Sequence, residues 1–214
     1  MSRRTMRDPQ LLGDRSSFSI VIAMSLRIGG KAQRTVHALA ETQRGYFTAA
    51  QARAAGVSAI TLGAMKRRGN IDHISAGVYR IGGFVESVWD RYVAATLWPE
   101  TRRDGVRGTI SHASALSLYE IGGIKSAKTH ITVPRAIRIR REAPSSLIIH
   151  RADLRPIDAR IVHGVPVTSP ERTIWDCLMA RLGDPVLRRA IADAERLGLM
   201  TPRLAARVRA DVLD

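Results

Sequence analysis

The sequence predicts an α+β protein: an N-terminal winged helix-turn-helix, followed by an α/β domain with a small, mostly antiparallel sheet and C-terminal helices. Three observations favour it. Glycine-separated helical segments precede residue 70, strand-like alternation runs through 128–168, and three helical segments that begin with proline follow. We expect a flexible extension over 1–30, the winged helix-turn-helix over 31–83 and the α+β domain over 84–214.

A helix-turn-helix spacing begins at Thr48. Thr48 is suited to cap a first helix, and Gly56 to end it in the left-handed conformation. Ser58 then caps a second helix, in which Leu62 and Met65 are three residues apart and share an inward face. This order is typical of a motif whose second helix enters the major groove of DNA.

The flanking segments complete the motif. Residues 31–43 predict a preceding helix, and residues 71–81 predict a β-hairpin, or wing, around a turn at 75–77. Tyr46 and Phe47 predict a short strand beside that wing. The alternative is a helical hairpin that binds no nucleic acid.

Charge supports a polyanionic partner. The formal net charge is +15, with a pI near 11.3. Residues 31–83 hold eight basic and two acidic side chains, and residues 128–168 hold eight and three, whereas 84–127 are neutral. Such blocks attract nucleic acid. Acidic proteins and membrane surfaces are the alternatives, but no amphipathic Lys-rich helix favours a membrane surface and no apolar run reaches the length of a membrane span, so we expect no membrane partner.

The cysteine content and the N-terminus favour a cytoplasmic protein. A single cysteine, Cys177, excludes an internal disulfide, and its apolar surroundings predict a buried thiol. The opening SRRTMR is similar to a twin-arginine signal, but Asp8 and Pro9 interrupt it, so we expect no export. Met24 is an alternative translation start, which would make residues 1–23 an artefact.

The predicted contacts with double-stranded DNA lie on the second helix and the wing. Ile60 is suited to a thymine methyl group, and Arg67 to guanine or a phosphate. The alternatives are a core role for Ile60 and a solvated helix end for the basic run. The full predicted set is Ser58, Ala59, Ile60, Thr61, Gly63, Ala64, Lys66, Arg67, Arg68, His73, Ser75 and Arg80.

A second basic surface is expected on the sheet of the second domain. Alternation places His130 and Thr132 on the outward face of one strand, and Arg138 and Arg140 on that of the next, AIRIRR. This face would bind nucleic acid backbone, a partner protein or only water.

Residues 84–99 predict a helix that Pro99 ends, and 109–123 predict a strand and a helix capped at Ser114.

Nothing in the sequence predicts catalysis. Ser111 and His112 are adjacent, which by itself gives no nucleophile–base geometry. The six histidines are scattered and no carboxylate cluster suits Mg²⁺. We expect no enzyme, no catalytic residue, no metal and no cofactor; a metal-dependent nuclease is the alternative.

Five segments together resemble AbiEi-like antitoxins, the regulators of type IV toxin–antitoxin pairs. They are GYFTAAQARAAGVS, KRRGNIDHISAGVYRI, SHASALSLYEIGG, THITVPRAIRIRR and GVPVTSPERTIWD, and they occur in the family's order. The resemblance implies a winged-helix repressor of its own operon, whose C-terminal domain neutralises a nucleotidyltransferase-like toxin without a stable complex. The alternatives are a shortened relative of Vsr-like endonuclease fusions and an interaction module that neutralises a partner.

Overall fold

The described residues form two compact units, which divide between Ser87 and Val88. The computed structural model describes residues 30–84, 87–100 and 105–213. The predicted α+β class is confirmed. The expectations for Met24 and for most of the N-terminal extension concern residues 1–29, which lie outside the described residues. Among the helices of the described ranges, none is long and apolar enough to span a bilayer.

The first unit has the predicted order of a winged helix-turn-helix. Its elements are α1 (Lys31–Glu41), β1 (Tyr46–Thr48), α2 (Ala49–Ala54), α3 (Ala59–Arg67), β2 (Ile71–Ser75) and β3 (Val78–Ile81). The strands form an antiparallel sheet in the order β1-β3-β2. The predicted strand at Tyr46 and Phe47 is therefore confirmed, and it lies beside the wing hairpin of β2 and β3.

Local side-chain chemistry fixes both ends of the turn between α2 and α3. Thr48 and Gln51 form a reciprocal capping box at the start of α2. Gly56 has a φ of 82°, which a residue with a Cβ rarely adopts. Ser58 Oγ accepts a hydrogen bond from Thr61 N at 3.1 Å and so caps α3. The predicted caps and turn are confirmed.

A small aliphatic core holds the first unit together. Ala52 of α2 is fully buried, so α3 approaches closely, and Leu62 and Met65 of α3 point into the same core. At the far end of α3, a Cβ on Gly82 would lie 2.1 Å from Gly69 O, so only glycine allows the wing to meet the helix end. The buried core residues are Val36, Ala40, Phe47, Ala52, Val57, Leu62, Met65, Ile71 and Ile81.

The second unit has a five-stranded sheet and five helices within the described ranges. Its elements are α4 (Asp90–Leu97), β4 (Thr109–Ile110), α5 (His112–Tyr119), β5 (Thr129–Val133), β6 (Leu147–Arg151), a 3-10 turn (Pro156–Asp158), β7 (Ala159–Val162), β8 (Val165–Thr168), α6 (Pro170–Met179), α7 (Asp184–Arg196) and α8 (Pro202–Leu213). The strand order is β6-β5-β4-β8-β7.

The sheet is mixed rather than mostly antiparallel. Strands β4–β5 and β7–β8 pair antiparallel, whereas β5–β6 and β4–β8 pair parallel. Two parallel strands need a connection that runs back along the sheet. Residues 134–146 provide it for β5 and β6, so the predicted strand AIRIRR is wrong: this segment is an irregular crossover.

Helices cover the sheet more completely than expected. Helix α4 packs on β4, β5 and β8, and α5 packs on β5 and on α6. Ile131 and Thr132 are adjacent in β5 and both are buried. Because adjacent strand residues point to opposite faces, both faces of β5 are covered. The predicted polar outer face at this strand is therefore wrong.

Two predicted helix starts are also wrong. Helix α4 begins at Asp90 rather than at the predicted residue 84, and Val88 before it is exposed. Helix α5 begins at His112, and Ser114 lies inside it rather than at its cap. Ser114 Oγ bonds strand β5: it donates to Lys128 O at 3.1 Å and accepts from His130 N at 2.8 Å.

The C-terminal helices begin as predicted. Ser169 Oγ accepts from Arg172 N at 3.3 Å, and Pro170 occupies the first helical position of α6. Proline stands in the first turn of α7 and opens α8. Cys177 of α6 is buried, as predicted, and burial raises the pKa of its thiol to about 12.

Helix α3 offers a matched test of this packing. Leu62 is 3% exposed and Ile60 is 85% exposed, on the same helix. We expect Leu62→Ala to lower the free energy of unfolding by about 2–5 kcal/mol, because it leaves a cavity. We expect Ile60→Ala to change it by less than about 0.5 kcal/mol. Urea unfolding of the full chain, followed by far-UV circular dichroism, measures both; equal losses would show that α3 does not pack on this face.

Candidate nucleic-acid interface

Helix α3 presents a shallow stripe opposite its buried face. Ile60, Gly63, Ala64 and Arg67 follow the i, i+3, i+4, i+7 spacing that aligns side chains along one side of a helix. Ile60 and Arg67 are exposed, and the two small residues between them are half-buried. The stripe therefore has an apolar end at Ile60, small side chains in the middle and a cationic end at Arg67.

The last turn of α3 concentrates positive charge. Lys66, Arg67 and Arg68 are all exposed. In the described part of the chain, none of the three forms an ion pair with an acidic side chain. Arg67 Nη1 lies 3.6 Å from the position that a Cβ on Gly63 would occupy, so its guanidinium folds back over the stripe. These charges are available to an anionic partner.

The predicted residues at the start of α3 divide into two roles. Ser58 Oγ is occupied as the helix cap and lies 2.9 Å from Thr61 Oγ1, so both hydroxyls already serve the first turn. Ala59 is exposed beside them. Ser58 and Thr61 thus orient the helix, and the free surface at this end is Ala59 and Ile60.

The wing exposes less than predicted. A β-bulge between His73 and Ser75 turns Ile74 outward, where it is 37% exposed. His73 is exposed and its ring lies 5.3 Å from that of Tyr79, while Ser75 is half-buried. His73, Ile74 and the turn at Ala76 are the parts of the wing that an outside molecule reaches.

Arg80 points inward, contrary to its predicted place on the DNA-binding surface. Its side chain is 11% exposed, and its Nη2 lies 3.2 Å from Asp72 Oδ2. The two residues are directly opposite each other on β3 and β2, and β3 is the central strand of its sheet. Arg80 therefore stabilises the wing. A signal was present in the sequence, since Asp72 is one of two acidic residues in 31–83.

The predicted second basic surface does not assemble as a sheet face. Thr132 is 2% exposed and donates a hydrogen bond to Ser111 Oγ at 2.8 Å. His130 is half-buried, and burial lowers the pKa of its ring. Arg138 and Arg140 are exposed, but they lie on the 134–146 crossover. The four residues therefore belong to a buried strand and a separate loop.

Three histidines that look scattered in the sequence meet in the second unit. One ligand nitrogen from each of His112, His130 and His150 lies within 4.8 Å of the others. Burial lowers the pKa of His112 to about 3 and that of His150 to about 4, and the neighbouring histidines add to both shifts. Burial also lowers the pKa of His130, so all three shifts favour the uncharged ring. Sequence reasoning missed this cluster because no local spacing links its members.

Comparisons with known proteins bear on the first unit and on the fold. No curated protein matches the chain. The crystal structure of the Rv2827c protein from Mycobacterium tuberculosis is similar in fold, with a TM-score of 0.50 and 19% sequence identity over 86% of this chain and 76% of that chain. At this identity the likeness concerns the fold alone.

A family profile described as transcriptional regulator, AbiEi antitoxin, matches residues 34–82. This range runs from α1 to the end of the wing, and it contains the stripe on α3. The resemblance to AbiEi-like antitoxins is confirmed over this range: residues 34–82 match the family of transcriptional regulators described as AbiEi antitoxin.

Proposed function

We propose that this protein binds double-stranded DNA at its own promoter through α3 and represses its own operon, as the antitoxin of a type IV toxin–antitoxin pair. The observation that carries the proposal is the stripe Ile60, Gly63, Ala64 and Arg67, within a segment that matches a family of transcriptional regulators.

The dimensions of the stripe suit the major groove. Arg67 follows Ile60 by seven positions, so the stripe runs about 10.5 Å along the helix axis. The groove is about 12 Å wide, which matches the diameter of about 10–12 Å of an α-helix with its side chains. The small residues Gly63 and Ala64 let the helix backbone approach the bases, so that Ile60 meets a thymine methyl group and Arg67 a guanine edge or a phosphate.

Electrostatics supports contact with the DNA backbone on both sides of that helix. Lys66 and Arg68 flank Arg67 and lie about 100° of helix rotation to either side of it, where they would meet phosphates. On the wing, His73 would follow the backbone. Arg80 is excluded from this set, because Asp72 neutralises it within the sheet.

The remaining roles are proposed on the same basis. We assign DNA binding to residues 31–83 and toxin neutralisation to residues 84–214, in a cytoplasmic protein that works without catalysis. The family description supports the regulatory and antitoxin parts of this assignment. The toxin would be a nucleotidyltransferase-like protein encoded beside it.

Removing two exposed cations from α3 tests the DNA-binding proposal. We expect Lys66→Ala/Arg67→Ala to weaken binding to the protein's own promoter at least tenfold at fixed salt. The slope of log K against log salt should fall in magnitude by roughly 1 for each phosphate that the variant no longer neutralises. Fluorescence anisotropy with a promoter duplex, across a salt series, measures both quantities.

A matched control removes two positive charges from the helices of the second unit instead. Arg188 of α7 and Arg203 of α8 are exposed and form no ion pair within the described ranges. Arg188→Ala/Arg203→Ala should leave promoter affinity within about threefold of the wild type, because neither cation belongs to the segment to which DNA binding is assigned. If the two double variants weakened binding equally, net charge rather than α3 would carry the affinity.

The antitoxin part of the proposal is tested separately. Expressed from an unrelated promoter, the wild-type protein should restore growth to cells that produce the neighbouring nucleotidyltransferase. We expect Lys66→Ala/Arg67→Ala to restore growth equally, because neutralisation is assigned to the second unit. Growth curves measure the rescue. Failure of the wild type would contradict the antitoxin role, and failure of the variant alone would place neutralisation on the DNA-binding face.

A further inference from the structure

The histidine cluster of the second unit lies in a defined place in the fold. His130 is on β5, His150 is on the edge strand β6, and His112 is the first residue of α5. In the parallel register His130 pairs with Ile148 and Thr132 with His150, so His130 and His150 share one face of the sheet. His112 approaches that face from the start of the helix.

The geometry brings ring nitrogens together. His130 Nδ1 lies 3.0 Å from His150 Nε2, and the ring centroids of His112 and His150 are 3.5 Å apart. Two nitrogens bonded to one tetrahedral zinc ion, each at about 2.0–2.1 Å, lie roughly 3.4 Å apart. The first pair is already near that separation. The 4.8 Å span of the whole set shortens to it by side-chain rotation.

The backbone conformation at His112 places its ring beside those of His130 and His150. Its φ is 51°, in the left-handed region, which residues with a Cβ rarely adopt. Ser111 N donates to His130 O at 3.1 Å, which extends the β4–β5 ladder up to the residue before His112. The chain turns into α5 only at this left-handed position, and the turn sets the His112 ring beside the other two.

A polar shell orients the rings. His112 Nδ1 lies 2.9 Å from Ser111 Oγ, which leaves Nε2 as the free nitrogen of that ring. Thr132 Oγ1 donates to Ser111 Oγ at 2.8 Å and fixes that hydroxyl. Hydrogen bonds of this kind, from a ligand's second nitrogen to a protein oxygen, set the ring orientation at metal sites. His130 and His150 are half-buried, which gives an ion a path from solvent.

We propose that His112, His130 and His150 form a binding site for one divalent transition-metal ion of the zinc class. Three imidazole ligands suit Zn²⁺, Co²⁺ or Ni²⁺ better than Mg²⁺ or Ca²⁺, which prefer oxygen. Water completes the tetrahedron. The bound ion joins the edge strand β6 to its neighbour β5 and to the start of α5.

Arg172 of α6 is a cation that acts on the histidine cluster, and two carboxylates pair with it. The charge of Arg172 reaches His112. Its Nε lies 2.8 Å from Asp176 Oδ1 and its Nη1 lies 3.4 Å from Asp158 Oδ2. The two carboxylates offset part of the guanidinium charge, which reduces its repulsion of an incoming ion.

Metal titration of the purified, metal-free full-length protein tests the proposal. We expect isothermal titration calorimetry to give one Zn²⁺ per chain. We also expect Co²⁺ to give the visible absorption of a tetrahedral complex. His130→Ala and His150→Ala should each weaken binding at least 100-fold. His73→Ala, which removes an exposed histidine of the wing, should bind as the wild type does.

Two further measurements keep the test decisive. If an alanine variant fails to fold by circular dichroism, His150→Gln replaces it and should lose the same affinity. Saturating Zn²⁺ should raise the Tm of the wild type and not that of the cluster variants. No Zn²⁺ uptake by the wild type at 100-fold molar excess, or equal uptake by folded cluster variants, would overturn the proposal and leave the cluster a stack of hydrogen-bonded rings.

Discussion

The burial of Leu62 and Met65 is the constraint on which the functional surface depends. Within the described residues, both side chains belong to a cluster of nine buried hydrophobic residues in the first unit. Once these two face Ala52 and the rest of the core, the rotation of α3 is fixed. Ile60 and Arg67 must then point to solvent. The proposed DNA-binding surface is thus a consequence of core packing: the buried residues Leu62 and Met65 determine which residues of α3 are exposed.

Features that act within a few residues were predictable from the sequence. The capping box at Thr48, the left-handed turn at Gly56 and the cap at Ser58 each depend on one side chain and the adjacent backbone. The same holds for the start of α6 at Ser169. Few other local backbone structures are compatible with such a cap or turn. The predicted caps and turns define the order of the helices and strands in the first unit. They also define where α3 begins, and so which of its residues face outward.

Features that depend on distant pairing were not predictable. Arg80 looks exposed until its cross-strand neighbour is known to be Asp72. The segment AIRIRR alternates like a strand, but it must return the chain for a parallel partner, and no local signal distinguishes the two. His112, His130 and His150 come together only through the β5–β6 register and the turn into α5. In each case the deciding contact depends on which residues face each other across paired strands, and no single residue reveals that register.

The β4–β8 pairing has a consequence for the order in which the protein is made. Ile110 pairs with Val167, so the central strand of the second sheet lacks its parallel partner until residue 168 has left the ribosome. The described strand pairs of the first unit lie between Tyr46 and Ile81. We therefore expect the first unit to fold while the second is still being synthesised, because local pairings close faster and domains fold as units during synthesis. A nascent chain would then carry a formed α3 surface before its second sheet exists.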